Sequence, residues 1–168
     1  SMITIRSAVY ETNSSSCHVV TVLSDYELEQ LHKGNLALAI HLSQGDKTIA
    51  VAMRKSRFKA ELGQCQFYHD ADGESRYADL DLKAIESLSD ELWTFVMSDM
   101  ENPVEGFNDK VAESVKKYCD DEQFVENVLD FVNQFAGKSQ IQDILEKTQK
   151  YEMGNGEIMN FSCVEMDC

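Results

Sequence analysis

Residues 2–23 read M-I-T-I-R-S-A-V-Y-E-T-N-S-S-S-C-H-V-V-T-V-L, and their pattern decides the class of fold. Ile3, Ile5, Ser7 and Val9 alternate with Thr4, Arg6, Ala8 and Tyr10, a period of two that predicts a strand over Met2–Tyr10. His18 to Leu23 is β-branched and apolar, which predicts a second strand. Glu11 to Cys17 then becomes the connection of a hairpin or of a closely related strand pair.

Further hairpins are expected downstream. Leu36–Leu42 and Thr48–Met53 flank a polar turn, Ser43–Lys47, that contains Gly45. Gln66–Asp70 and Ser75–Leu80 flank Ala71-Asp72-Gly73-Glu74. Between the first two hairpins, Ser24-Asp25-Tyr26-Glu27 has the spacing of a capping box, and Gly34 can take the left-handed conformation that stops a short helix.

Past residue 80 the apolar period lengthens to that of helices. Ile85, Leu88, Leu92, Phe95 and Val96 share one face, with Ser89 as an internal start signal, and Asn102-Pro103 breaks the run. Asn108 is placed to cap a helix carrying Val111, Val115 and Tyr118. Asp120 is placed to cap another carrying Phe124, Val125, Val128, Leu129, Val132 and Phe135, which Gly137 ends. Ser139-Gln140-Ile141-Gln142 has the form of a second capping box, opening a helix with Ile144, Leu145 and Thr148. A turn over Met153–Gly156 leads to a last strand, Ile158–Val164, that rejoins the sheet. The expected fold is α+β: a mostly antiparallel, strand-rich part over 1–80, an acidic helical part over 81–152, and a C-terminal strand and tail over 153–168. At 168 residues the chain is long enough for one domain with a real core and too short for two ordinary ones, so a single domain over 1–168 is expected.

No apolar run approaches the ~18–20 residues that span a bilayer, so no membrane partner is expected. The first residues lack the basic start, apolar core and small-residue cleavage site of a secretory leader, and with Ser1 ahead of it Met2 is the expected natural start. A cytoplasmic protein of a bacterial cell is the expectation. Cys17, Cys65, Cys119, Cys163 and Cys168 are odd in number and lack framework spacing, which fits reduced thiols. Cys65-x3-His69 with Cys163 and Cys168 makes four potential zinc ligands, but nothing in the sequence brings the two ends together, and no metal or cofactor is assigned. Asp70–Glu74 has its glycine at the wrong place for a calcium loop and reads as a turn.

Thirty acids against fifteen bases give a net charge of −15. Asp79 to Gly137 holds fifteen acids and four bases, a net of −11 in about a third of the chain. Such a segment repels the phosphate backbone, which disfavours direct nucleic-acid binding by that part and favours a partner with a basic surface. The candidate partner-binding carboxylates are Asp90, Glu91, Asp99, Glu101, Glu105, Asp120, Asp121, Glu122 and Glu126. Carboxylates at helix N-termini serve the helices themselves, so part of the excess is structural. Arg54-Lys55-Ser56-Arg57-Phe58-Lys59 is the one basic cluster, read as a solvated edge, as a holder of a phosphate or nucleic acid, or as a self-association patch for the acidic part.

Asn13, Ser14, Ser15, Ser16 and His18 form the candidate ligand site. Loop amides and hydroxyls can cradle a phosphate or nucleotide, and they can equally satisfy their own turn. Cys17 and His18 are neighbours on a strand and point to opposite faces, which disfavours a thiol–imidazole pair.

The run V-Y-E-T-N-S-S-S-C-H-V-V-T-V, Val9 to Val22, followed by a short helix ending in Lys-Gly-Asn-Leu, resembles the start of small uncharacterised bacterial and bacteriophage proteins carrying T-N-S-S-S-x-H after a first strand. Thr12 to Ser16 and His18 match that pattern, and Cys17 falls at its variable position. The resemblance covers about the first 40 residues and implies an origin, with no established activity. With no recognisable catalytic set, the expectation is a non-enzymatic phage or mobile-element accessory protein. It would bind a host macromolecule and inhibit, for instance, a nucleic-acid-handling or defence protein.

Overall fold

The computed structural model describes residues 6–13, 16–43, 47–135 and 138–167. It is α+β, with strands first, helices in the middle and strands again at the C-terminus. The chain forms two compact units. One combines residues 1–54 with 136–168, and the other is residues 55–135.

The first unit is built on a four-stranded antiparallel sheet. Its strands are β1 (Arg6–Asn13), β2 (Ser16–Ser24), β7 (Gln149–Glu152) and β8 (Ile158–Asp167), in the order β1-β2-β8-β7. The C-terminal strand thus pairs beside β2, with Thr21 opposite Ser162 and Leu23 opposite Asn160. A hairpin of β3 (Ala37–Ser43) and β4 (Lys47–Met53) lies with β4 alongside β1. Helices α1 (Asp25–His32) and α6 (Lys138–Glu146) pack against β8. Leu23, Leu31, Leu36, Leu38, Met53 and Ile141 are buried in this unit.

α1 starts as its sequence dictates. The Ser24 hydroxyl accepts from the Glu27 amide at 3.1 Å, and the Ser24 amide donates to Glu27 Oε1 at 3.0 Å. Gly34, at φ 75°, takes the left-handed position that ends the helix. Asn160, 1% exposed on β8, donates through Nδ2 to the Leu23 carbonyl and to Asp25 Oδ1, both at 3.0 Å. That side chain ties the last strand to the start of α1. It also holds the Asp25 carboxyl below its ordinary value, with Lys150 adding to the effect.

The second unit contains α2 (Lys55–Gln64), β5 (Phe67–His69), β6 (Ser75–Tyr77), α3 (Leu82–Glu101), α4 (Phe107–Lys116) and α5 (Glu122–Val132). Phe58 of α2 is fully buried, with ring centroids 5.3 Å from Trp93, 5.1 Å from Phe131 and 5.6 Å from Phe135. Leu62, Leu88, Leu92, Val115, Phe124 and Val128 complete the middle of this core. The buried Gln66 amide donates to the carbonyls of Ala78 and Leu80 at 2.9 Å each, fixing the segment that leads into α3.

Several local expectations shift. β1 and β2 run further than the polar segment suggested: Glu11 pairs with Cys17 and Asn13 with Ser16, with a register irregularity between Glu11 and Asn13. Arg54–Lys59 leads into a helix. Its residues 55–59 open α2, whose apolar signal is only Phe58 and Leu62 at i, i+4. α3 begins at Asp81, whose side chain accepts from the Ala84 amide at 2.8 Å, so Ser89 sits in mid-helix instead of starting one. Asp121, not Asp120, caps α5, and Gly106 at φ 67° precedes α4 where Asn108 was expected. α6 begins at Lys138, one residue before the Ser139 expected to cap it, and ends at Glu146, short of Thr148. β5 and β6 fall within the second unit, with the helices that follow them.

Candidate functional site

The second unit carries nineteen acids and eight bases, a net of −11, and its helices decide which carboxylates are free. Four of the nine candidate residues have internal partners. Asp90 Oδ1 is 2.8 Å from Lys55 Nζ, and Glu91 Oε1 is 2.9 Å from Lys117 Nζ. Asp99 Oδ1 accepts from the Val104 amide at 2.9 Å, closing the bend after α3. Asp121 caps α5 through the Phe124 amide and also accepts from the Tyr68 hydroxyl.

The other five, Glu101, Glu105, Asp120, Glu122 and Glu126, are exposed and have no ion-pair partner among the described residues. They do not form one cluster. Asp120 precedes α5 and Glu122 and Glu126 lie in its first half, whereas Glu101 ends α3 and Glu105 lies in the connection to α4. Asn133, just past α5, donates to Asn108 Oδ1 at 2.9 Å, so the far end of α5 meets the beginning of α4. Along α5 itself, Glu122, Glu126 and Asp130 recur every four residues and are all exposed, making a carboxylate stripe of ~12 Å. Asp130 was missed from the sequence, although its place four residues after Glu126 was the available signal.

Three of the four bases of the cluster are paired within the same unit. Lys55 meets Asp90, Lys59 Nζ lies 3.1 Å from Glu86 Oε1, and Arg57 Nε lies 3.8 Å from Glu61 Oε1. These are exposed pairs of small individual worth, but they cancel the one concentration of positive charge.

The Asp70–Glu74 segment is a hairpin turn. Asp70 Oδ1 accepts from the amides of Asp72 and Glu74 at 3.0 Å each, and Oδ2 accepts from Arg76 Nε at 2.8 Å. The Arg76 guanidinium, together with those amides, holds the Asp70 carboxyl below its ordinary value. Phe67 and Tyr77 face one another across the short strands, 4.7 Å between centroids, and both rings are more than half exposed.

Of the N-terminal candidate site, Asn13 and Ser16 are paired across the hairpin, and His18 stands opposite Tyr10 on one side and Glu165 on the other. Ser14 and Ser15, and the side chains of Asn13, Ser16, Cys17 and His18, lie outside the described residues. Cys65 follows α2 and is largely buried, its Sγ 3.6 Å from the Glu61 carbonyl and 3.8 Å from that of Asn127. Burial, reinforced by Glu61 and Asp130, pushes its thiol up to about 12. His69 lies exposed on β5, Nδ1 3.5 Å from Ser75 Oγ. The side chain of Cys163 and the whole of Cys168 lie outside the described residues. Among the described residues no group of three or more His, Cys, Asp or Glu side chains is arranged to hold a metal ion. No described helix is long and apolar enough to cross a membrane. Comparison with protein-family models, curated proteins and solved structures yields no match to this chain.

Proposed function

We propose that this chain is a non-enzymatic accessory protein of bacteriophage or mobile-element origin that acts in the bacterial cytoplasm. Its helical unit docks on a basic surface of a host protein, and a nucleic-acid-handling or defence protein is the concrete target class. The observation that carries this reading is the Glu122–Glu126–Asp130 stripe. Like charges at i, i+4 destabilise a helix by about 0.2–0.5 kcal/mol per pair, and α5 has two such pairs in succession. Asp121 and Glu122 offset some of this by standing at the N-terminal, positive end of the helix dipole. Asp130 stands in the last turn, where the dipole opposes an anion, and that turn has no basic residue. Helix stability therefore does not account for the stripe, whereas steering onto a positive partner does. The origin rests on the resemblance of residues 9–22 to the T-N-S-S-S-x-H proteins.

A pull-down from bacterial lysate at about 50 and 300 mM salt tests the proposal, since exposed charges are screened beyond ~10 Å at 0.1 M. The expected result is a basic host protein retained at the lower salt and lost at the higher. Retention that is indifferent to salt contradicts a charge-steered interaction.

A further inference from the structure

α2 and α3 enclose a cleft of about 370 Å³ lined by Lys55, Ser56, Lys59, Glu86, Ser89 and Asp90, all within the second unit. Two features of this cleft are independent of one another. The first is the start of α2, a helix of ten residues whose first turn carries no acid. The opening amides of a helix have no intrahelical acceptor, and the preceding residue, Arg54, has only donors and cannot cap them. The second is Ser89. It is 1% exposed in the middle of α3, yet its hydroxyl has no hydrogen-bond partner among the described residues. A buried hydroxyl left unpaired is costly, and Ser89 is one of the residues that line the cleft.

We infer that this cleft binds a small phosphate monoester bearing hydroxyl groups, of the sugar-phosphate class. This goes beyond the docking surface on α5 and uses none of the residues of the Asn13–His18 candidate site. A phosphate presents several acceptor oxygens, and the cleft converges donors of the matching kind: the Lys55 and Lys59 ammonium groups, the Ser56 and Ser89 hydroxyls, and the dipole at the start of α2. In the unliganded protein each lysine is held at the cleft by a carboxylate, Lys55 by Asp90 at 2.8 Å and Lys59 by Glu86 at 3.1 Å. All four side chains are about half exposed or more, so those pairs exchange readily for a dianion. The carboxylates so released accept hydrogen bonds from the ligand's hydroxyls. A bare oxyanion leaves them facing it without partners, which is the source of selectivity. The volume falls at the small end of the ~300–1,000 Å³ range of ligand sites.

The test is calorimetric titration of the full chain with ribose 5-phosphate, with ribose and inorganic sulfate at matched ionic strength as controls, repeated on Ser89→Ala and Lys59→Gln. The expected result is saturable binding of ribose 5-phosphate, weakened about tenfold or more by either variant, since each loses a hydrogen bond to a charged group. Ser89→Ala should at the same time raise the Tm of the unliganded protein, because it removes an orphaned hydroxyl from a helix interior. A serine with only a structural role moves the Tm and leaves the affinity alone. The inference is overturned by an absence of binding at millimolar ligand, by affinity indifferent to both variants, or by sulfate binding as tightly as the sugar phosphate.

Discussion

The phenol of Tyr68 donates to Asp121 Oδ2 at 2.9 Å, while Oδ1 of the same carboxylate accepts from the Phe124 amide at 2.9 Å. One side chain therefore caps α5 and pins the β5–β6 hairpin to it. The helix bearing the carboxylate stripe is fixed by this contact, at a point 53 residues away in the chain.

Asp121→Ala removes both functions and should cost about 1–3 kcal/mol, the sum of a lost cap and a lost hydrogen bond. Tyr68→Phe removes only the second and should cost less than Asp121→Ala. In the double variant the losses should be less than additive, which urea unfolding followed by Trp93 fluorescence reads directly. The Asp121 carboxylate also raises the Tyr68 phenol above its ordinary value, with burial adding to the shift. That contribution to stability is present below pH 10 and is lost as pH rises through the folded value. Ultraviolet titration should show the Tyr68 transition moving down in Asp121→Ala.

At the other end of the pH scale, Asp70 gives up its proton more readily in the folded chain than in the unfolded one, because Arg76 and the Glu74 amide bind its charged form. Its contribution to stability is present above the ordinary carboxyl value of 3.8 and is lost as pH falls through the folded value. Asp70→Asn should flatten the stability profile in that acid window and leave the alkaline limb unchanged. Chemical denaturation at several pH values between 2 and 7 measures this.

Burial raises the Cys65 thiol to about 12 from an ordinary value of 9.0, so at pH 8 its thiolate population falls by roughly two to three orders of magnitude. Iodoacetamide at pH 8 should modify Cys65 in the native protein far more slowly than in urea, as peptide mass mapping would record. Comparable rates in the two states would mean that the residue is not held against the Asn127 carbonyl as described.

What was legible in the sequence was whatever rests on local periodicity and local caps. The Ser24–Glu27 box, the hairpins flanking Ser43–Lys47 and Ala71–Glu74, and the last strand from Ile158 are set by residues a few positions apart. α2 was not legible, since one turn of its apolar face is Phe58 and Leu62 set among four bases and an acid. Its stability comes from Trp93, Phe131 and Phe135, which reach Phe58 only through tertiary packing. The candidate site divided the same way. An acidic helical part was visible in composition. That Lys55 and Lys117 would neutralise Asp90 and Glu91 was not, because the partners lie 26 or more residues apart. Ser89 shows the reverse error. Taken alone it looked like a helix start, and only the burial of its side chain in mid-helix reveals an unpaired hydroxyl at a cleft.

The central claim is that the α5 stripe, and not net charge alone, recruits a basic partner. The most direct measurement compares partner capture at about 50 mM salt by two triple variants, Glu122→Gln/Glu126→Gln/Asp130→Gln and Asp143→Gln/Glu152→Gln/Glu157→Gln. Both neutralise three exposed acids, the second set on the other unit. The α5 variant should lose the partner by about tenfold or more while the other retains it, as the loss of steering and rim charge requires. Equal loss in both variants, or undiminished capture by the α5 variant, would contradict it.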